Sequence, residues 1–178
     1  MHLLENIEKR DLRDLLGKGW LTHDGMWFYH TCQALGIEQA NALNKAAIRS
    51  IAPIEINRIK KILGISEKKI ESFEALKDFM YNAFELILPE SVFNKFNFSA
   101  PSNNTFHWKW EKGECFAFKG MMQIGTIDKY RCGVMYRIKC WLEALGIEFG
   151  IDPDVDKCIM HSTGVCSGDI HVFPDSKP

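Results

Sequence analysis

The sequence predicts an α+β fold in which a helical N-terminal half packs on a small antiparallel sheet with one late helix. Two patterns support this prediction. Apolar residues recur at helical spacing through residues 1–90, and between residues 105 and 111 they alternate with polar residues, as in a half-buried strand. A chain of 178 residues without an internal repeat or a long linker predicts a single domain over 1–178, with a helical part at 1–90 and a part of sheet and helix at 91–174.

Four helices are predicted in the first half, bounded by glycine, proline and capping residues. Gly17 and Gly19 are expected to stop the first helix, and Thr22 is a good N-cap for the second. Pro53 must kink the third helix or begin a new one. The predicted helices span 5–17, 22–36, 38–63 and a segment that begins at Ser66 or Ser72 and ends at 88.

The second half is predicted to form strands around one helix. Phe106, Trp108 and Trp110 alternate with His107 and Lys109, so the three aromatic side chains are expected to share the buried face of a strand. Residues 101–104 are predicted to form the turn that precedes this strand. The predicted strands span 92–100, 105–111, 115–118, 147–151, 155–161 and 167–173, and the predicted helix spans 130–146.

Charge and hydropathy exclude several classes of partner. The chain has 22 basic and 23 acidic side chains and a formal net charge of -1, so no global field attracts nucleic acid or an anionic membrane surface. The longest apolar runs are far shorter than the roughly 20 residues that a bilayer requires. The first 13 residues are charged and lack the apolar core of a signal peptide, so we expect a cytoplasmic protein.

The helix predicted at 22–36 carries the first candidate site. His23, Trp27 and His30 fall on one stripe at 100° per residue. The two histidines are about 10 Å apart along the axis, too far to share one metal ion. His23 beside Asp24 is a candidate general acid or base. The alternative is that Thr22 and Asp24 start the helix and the histidines are half-buried packing residues.

The late helix presents two faces. Its apolar side chains, from Val134 to Leu145, form the predicted core face. Gly133, Arg137 and Cys140 belong to an adjoining stripe of mostly small residues, which predicts a close neighbour there. That neighbour is either a second structural layer or a ligand.

A third candidate site is the spacing Cys158-x-x-His161-x-x-x-x-Cys166, predicted to surround a hairpin turn. The six cysteines are expected to be reduced, because a chain of this length buries a core without disulfides. Closely spaced cysteine and histidine side chains are typical zinc ligands, and a fourth ligand could come from Cys140, Cys132 or Cys115. Strand alternation argues against a zinc site that uses all three residues of this motif. In either register of the hairpin, one of the three side chains points to the opposite face of the sheet. An ordinary hairpin with buried thiols is the alternative.

These motifs together resemble a bacterial and archaeal family. The resemblance covers residues from about 15 to 173, and the family is the L-2-amino-thiazoline-4-carboxylic acid hydrolase-like family. More remotely, the C-terminal part resembles the four-vinyl-reductase-like small-molecule-binding domains. The three motifs are Thr22-His-Asp-Gly-Met-Trp-Phe, Tyr130-Arg-Cys-Gly-Val-Met-Tyr-Arg-Ile-Lys-Cys-Trp, and Cys158 to Cys166 with Gly164 in the turn.

The resemblance implies a ligand pocket between the helical half and the sheet, and a hydrolase in which activated water opens a thiazoline-carboxylate or similar ring. The implied catalytic residues are His23, Asp24 and His161. The implied substrate-binding residues are His30, Trp27, Tyr136 and Arg137, and the ligand carboxylate would be held by Arg137 or, alternatively, by Arg131. A zinc ion would be held by ligands from the set Cys132, Cys140, Cys158 and Cys166. The alternatives are a non-catalytic sensor domain that binds a small molecule or a metal, and a homodimer formed through the helices.

Overall fold

A computed structural model describes residues 3–66 and 68–173 of the chain and confirms the α+β architecture. A helical N-terminal half packs on a four-stranded antiparallel sheet, and further helices follow the sheet's first hairpin. Two short 3-10 turns, Leu3–Asn6 and Ile127–Lys129, complete the described secondary structure. The helices are α1 (Lys9–Leu35), α2 (Ile37–Ile62), α3 (Phe73–Ile87), α4 (Glu90–Phe93), α5 (Phe116–Gln123), α6 (Gly133–Ala144) and α7 (Ile159–Thr163). The strands are β1 (Phe96–Ser102), β2 (Thr105–Trp110), β3 (Phe149–Asp152) and β4 (Cys166–Val172).

The first two predicted helices are one continuous helix, α1, so the predicted stops at Gly17 and Gly19 are wrong. Gly17 is needed for packing instead, because a Cβ there would lie 3.0 Å from Cγ of Pro89. Thr22 lies inside this helix and is no N-cap. Gly17 and Gly19 do not end the helix because a glycine inside a helix lowers its stability by only about 1 kcal/mol relative to alanine, which tertiary contacts readily offset.

The other helical predictions agree more closely with the structure. α2 continues through Pro53. Ser72 is the N-cap of α3, where its hydroxyl accepts a hydrogen bond from the Ala75 N–H at 3.2 Å, so Ser72 and not Ser66 begins that helix. No helix of the described residues is both long enough and apolar enough to cross a bilayer.

The sheet has the strand order β1-β2-β4-β3. Phe106, Trp108 and Trp110 of β2 are buried, as their alternation predicts. In β4, Gly168 is paired with Trp108, and a Cβ at this glycine would overlap the Trp108 ring and the Asp152 carbonyl. The sheet therefore depends on a glycine at this position.

Two predicted strands are wrong. Residues 116–118 form the first turn of α5 after its N-cap Cys115, residues 155–158 are irregular, and residues 159–161 belong to α7. Consequently no hairpin joins Cys158 to Cys166, and β4 pairs with β2 and β3 instead. Gly164, at φ +79°, ends α7 in the left-handed region and redirects the chain into β4. Short apolar runs do not distinguish a strand from a buried helical turn, which explains both errors.

The predicted close neighbour of the late helix is α2, a second structural layer. A Cβ at Gly133 would lie 3.0 Å from Nδ2 of Asn44 and 3.2 Å from a methyl of Ile48, so the glycine allows α2 to approach α6. The segment before α7 is tied to the same helix pair. Asp156 accepts a hydrogen bond from Lys45 of α2 at 2.8 Å and also pairs with Arg131.

Candidate functional site

A pocket lies where the helical half meets the sheet. Its volume is about 90 Å³. Residues from α1, α2, α3, α6 and the sheet line it. The walls are mainly apolar and include Trp20, Ile48, Phe84, Trp110, Val134 and Trp141. Four polar side chains also reach it, and these are Asp24, Asn44, Tyr130 and Arg137.

Arg137 is the cation of this pocket, and its position is set by two neighbours, Glu55 and Trp20. Its guanidinium pairs with Glu55 of α2 and lies 4.7 Å from the centroid of the Trp20 ring, in a cation–π contact. The second oxygen of Glu55 accepts a hydrogen bond from the Trp141 indole N–H at 2.8 Å. The Arg137 and Glu55 side chains are only 15% and 14% exposed. An arginine held by a carboxylate and an aromatic ring in this way is a preorganised anchor for an anion.

The other polar groups differ in character. Asp24 is exposed on α1 and contributes the one carboxylate among the described residues that line the pocket. Tyr130 is buried, its hydroxyl accepts a hydrogen bond from the Gly133 N–H at 2.9 Å, and burial raises its pKa so that it stays neutral. The amide of Asn44 forms no hydrogen bond with any described side chain or backbone group and is available to a ligand.

The other predicted catalytic and substrate-binding residues lie outside the pocket lining. His23, Trp27 and His30 share one stripe of α1, as predicted, but that stripe is exposed, so they are not the half-buried packing residues of the alternative hypothesis. His161 is also exposed, and its Nε2 lies 2.7 Å from an Asp128 carboxylate oxygen. The Tyr136 hydroxyl accepts a hydrogen bond from Arg49 at 2.9 Å on the outer side of the α2–α6 pair. Of the predicted catalytic and substrate-binding residues, the structure brings Asp24 and Arg137 to one pocket.

Four of the six cysteines line a second, much smaller cavity of about 10 Å³, which is the space of a single water molecule. Three of them, Cys132, Cys158 and Cys166, belong to the predicted metal set. The fourth is Cys115, one of the three cysteines that the sequence analysis gives as a possible fourth zinc ligand. Cys140 is buried elsewhere, near Arg49 and Tyr136.

Burial dominates the chemistry of three of these thiols. It raises the pKa of Cys132 to about 11 and that of Cys166 to about 12, and it also raises the pKa of Cys115. The Cys115, Cys132 and Cys166 thiols are therefore protonated at neutral pH. The fully buried Trp108 indole N–H has no hydrogen-bond acceptor of its own in the described structure and faces Cys166, whose pKa it lowers against the larger effect of burial. An N–H aimed at sulfur stabilises a thiolate, the form that binds metal.

The four thiols are the donor type that zinc prefers, since tetrahedral sites with four cysteine ligands are common. Within residues 3–66 and 68–173, however, no three histidine, cysteine, aspartate or glutamate side chains are placed as a ready ligand set for a metal ion. Binding would require the sulfurs to turn inward and lose their protons. Zinc binding therefore stays a prediction.

Comparison with known proteins identifies a family. A family model described as a family of unknown function, DUF6125, matches residues 5–96, which is just over half of the chain. The chain belongs to this family. The matched region runs from the N-terminal turn through α1, α2, α3 and α4 to the first residue of β1, so it includes Asp24, Asn44 and Glu55 but not Arg137. No curated protein matches the chain.

Proposed function

We propose that this DUF6125 protein binds a small zwitterionic molecule in the pocket between α1 and α6. The observation that carries the proposal is that one small apolar pocket receives a carboxylate, Asp24, and a guanidinium, Arg137. An apolar enclosure with a few convergent polar groups is typical of small-molecule sites. The opposite charges favour a ligand that has a cationic group and an anionic group on a compact apolar body.

Arg137 is the proposed anchor for a ligand carboxylate. A guanidinium has five N–H donors, and Glu55 accepts from Nη1 alone, with no second acceptor among the described residues. The remaining donors are free to form a forked pair with a carboxylate. Glu55 and Trp20 hold the guanidinium in place, so little side-chain entropy is lost when the ligand binds.

The size of the pocket limits the ligand. A cavity of about 150 Å³ accommodates benzene, whereas this pocket is about 90 Å³ and one of its lining residues, Asp24, is exposed. One five-membered ring fits this space if its polar substituents reach the opening. A 2-amino-thiazoline-4-carboxylate has such a ring, an amidine-like cation and a carboxylate, which agrees with the family resemblance.

Ring opening is the reaction that we propose for such a ligand. Water adds to C2 of the ring, the C2–S bond breaks, and the sulfur leaves as a thiol with one of the water protons, giving N-carbamoyl-cysteine. Asp24 is the proposed proton acceptor because it is the carboxylate at the pocket. His23 adjoins Asp24 in the chain but is exposed and outside the lining, so its catalytic role depends on reaching the same water.

Calorimetric titration with three compounds tests the binding proposal. The compounds are 2-amino-thiazoline-4-carboxylate, the analogue without the carboxylate, and the analogue without the amino group. Each deletion should weaken binding by about 10- to 100-fold, the value of one charge-assisted hydrogen bond. Arg137→Lys, which keeps the charge but loses the fork, should weaken binding of the carboxylates, whereas the control Arg49→Gln on the outer surface should not. No binding, or equal binding of all three compounds, would refute the proposal.

Thiol release from the same compound tests hydrolysis separately. Asp24→Asn should abolish turnover while the protein still binds the carboxylate-only analogue, and His23→Ala distinguishes the two candidate bases. Binding without any thiol release would favour the non-catalytic sensor.

A second candidate function, metal sensing or metal-stabilised folding, is favoured by the four thiols around one cavity. Its test is elemental analysis of protein purified without chelator. We expect one zinc ion per chain, lost in Cys132→Ser and Cys166→Ser and retained in the control Cys140→Ser, whose thiol lies outside the cavity. The absence of zinc from wild-type protein after reconstitution, or its loss in Cys140→Ser alone, would refute this candidate.

A further inference from the structure

The outward face of α1 is apolar along most of its length. Phe28 is the one buried residue among the 27 of this helix. On the opposite side, Leu15, Leu16 and Trp27 are 69%, 64% and 65% exposed. A helix on the surface of a monomer normally presents polar residues there, whereas a helix that is apolar all round is covered on both sides.

The residues on this face follow the spacing of a helix–helix seam. Positions 12, 16, 19, 23, 26 and 30 are separated alternately by four and three residues, which keeps them on one stripe over five turns. We name this stripe, with its two flanking apolar residues, the α1 face. Its members are Leu12, Leu15, Leu16, Gly19, His23, Met26, Trp27 and His30.

We infer that the α1 face binds the same face of a second copy of this chain, with the two helices antiparallel. A two-fold axis beside position 21 pairs position 12 with 30, 16 with 26 and 19 with 23, so every seam position meets another seam position. Gly19 then faces His23 of the second copy, and a Cβ at Gly19 would meet no atom within 4 Å, so there is room for an imidazole ring. Leu16 comes beside Trp27 on one flank, and Leu15 beside Met26 on the other.

A parallel pair lacks this complementarity. It places Gly19 against Gly19, which leaves a gap, and brings the largest side chains, the two Trp27 rings, to the same level. The antiparallel pair sets large against small or medium side chains throughout, and each patch serves as its own partner, as a closed two-fold interface requires.

The exposed area is sufficient for a reversible dimer. The exposed fractions of the five apolar side chains correspond to about 350 Å² of apolar surface per copy, taking about 100 Å² for a leucine or methionine and about 200 Å² for a tryptophan. Interfaces are about 60% apolar, so two copies would bury about 1,200 Å² in total. Specific interfaces begin near 1,000 Å², so the α1 face clears that limit without the area of an obligate dimer.

Sedimentation velocity of the full chain over a range of concentrations tests the inference. We expect a concentration-dependent monomer–dimer equilibrium. Trp27→Asp should raise the dissociation constant of the dimer by about 100-fold or more, because the apolar surface of the tryptophan ring is no longer buried at the interface. Ile54→Asp is the matched control, because Ile54 is an exposed apolar residue of α2, outside the α1 face. A chain that stays monomeric at every concentration, or a dimer lost in Ile54→Asp but not in Trp27→Asp, would overturn the inference.

Cysteine cross-linking tests the orientation. In the antiparallel pair, position 12 meets position 30 of the second copy, so Leu12→Cys with His30→Cys should form an intermolecular disulfide. Leu12→Cys alone should not, because the two copies of position 12 lie about 27 Å apart. A dimer that cross-links through Leu12→Cys alone would overturn the antiparallel arrangement. Because α1 presents these side chains to solvent, the variants should keep the thermal stability of the wild type, which a parallel melting experiment checks.

Discussion

Replacing Glu55 with alanine should destabilise the protein by about 3–5 kcal/mol, because it leaves the Arg137 guanidinium buried without its counter-charge. Both side chains are about 15% exposed, so water does little to replace the lost partner. The substitution also removes the acceptor of the Trp141 indole N–H, a hydrogen bond of 2.8 Å. That loss alone is worth about 1 kcal/mol and is part of the total.

A double-mutant cycle in urea measures the interaction between the two charges. Arg137→Met alone should cost a similar amount, since it leaves the Glu55 carboxylate buried. The double variant Glu55→Ala/Arg137→Met buries no unpaired charge, so it should lose less than the sum of the two single losses, by about 1.5–3 kcal/mol. For a chain of this length each kcal/mol shifts Tm by about 2–4 °C, so the single variants are readily distinguished from wild type. Additive losses would show that the pair is solvated and would remove the basis for treating Arg137 as a preorganised anchor.

Three further predictions follow from particular contacts. Gly168→Ala should cost about 3 kcal/mol or more in urea unfolding, because its Cβ would overlap the rigid Trp108 ring and a backbone carbonyl; a loss below about 1 kcal/mol would contradict that packing. The Lys45 side chain holds the pKa of Asp156 below its usual 3.8, so this carboxylate contributes stability that is present above pH 3.8 and lost as the pH falls below it. Asp156→Asn should therefore flatten the acid limb of a stability–pH profile and lower stability at neutral pH, and an unchanged profile would be the contrary result. Native protein at neutral pH should be alkylated at Cys132 only when it unfolds, since burial raises the thiol pKa to about 11, and mass spectrometry of iodoacetamide-treated protein checks this; fast labelling of folded protein would contradict it.

The secondary structure that sequence reasoning predicts correctly rests on strong local signals. The alternation around Trp108 predicts a strand with one buried face, and Ser72 caps α3 through its own hydroxyl. Predictions made from weak or ambiguous signals are wrong. Gly17 and Gly19 do not end α1, and the short apolar run at 115–118 is helical. In each of these cases tertiary packing outweighs a local preference of about 1 kcal/mol.

The residues of the candidate site were likewise predicted only in part. The family resemblance implies site roles for Asp24 and Arg137, and the structure brings both to one pocket. His161 has an equally suggestive chemical type but lies on the surface against Asp128, because the segment before it is not a strand. Glu55 and Asn44 were missed, since single polar residues in an otherwise ordinary helix carry no signal of their own. Only the α2–α6 packing reveals what they face.

The sequence by itself determined the fold class, the buried face of β2 and the chemical types available for a site. These properties depend on side-chain periods along a single helix or strand, which are local. The tertiary structure decided the continuity of α1, the strand order, the replacement of Cys140 by Cys115 beside the other thiols, and the meeting of Asp24 with Arg137. Each of these depends on which distant segments come into contact, and burial and close packing select those contacts over the whole chain at once.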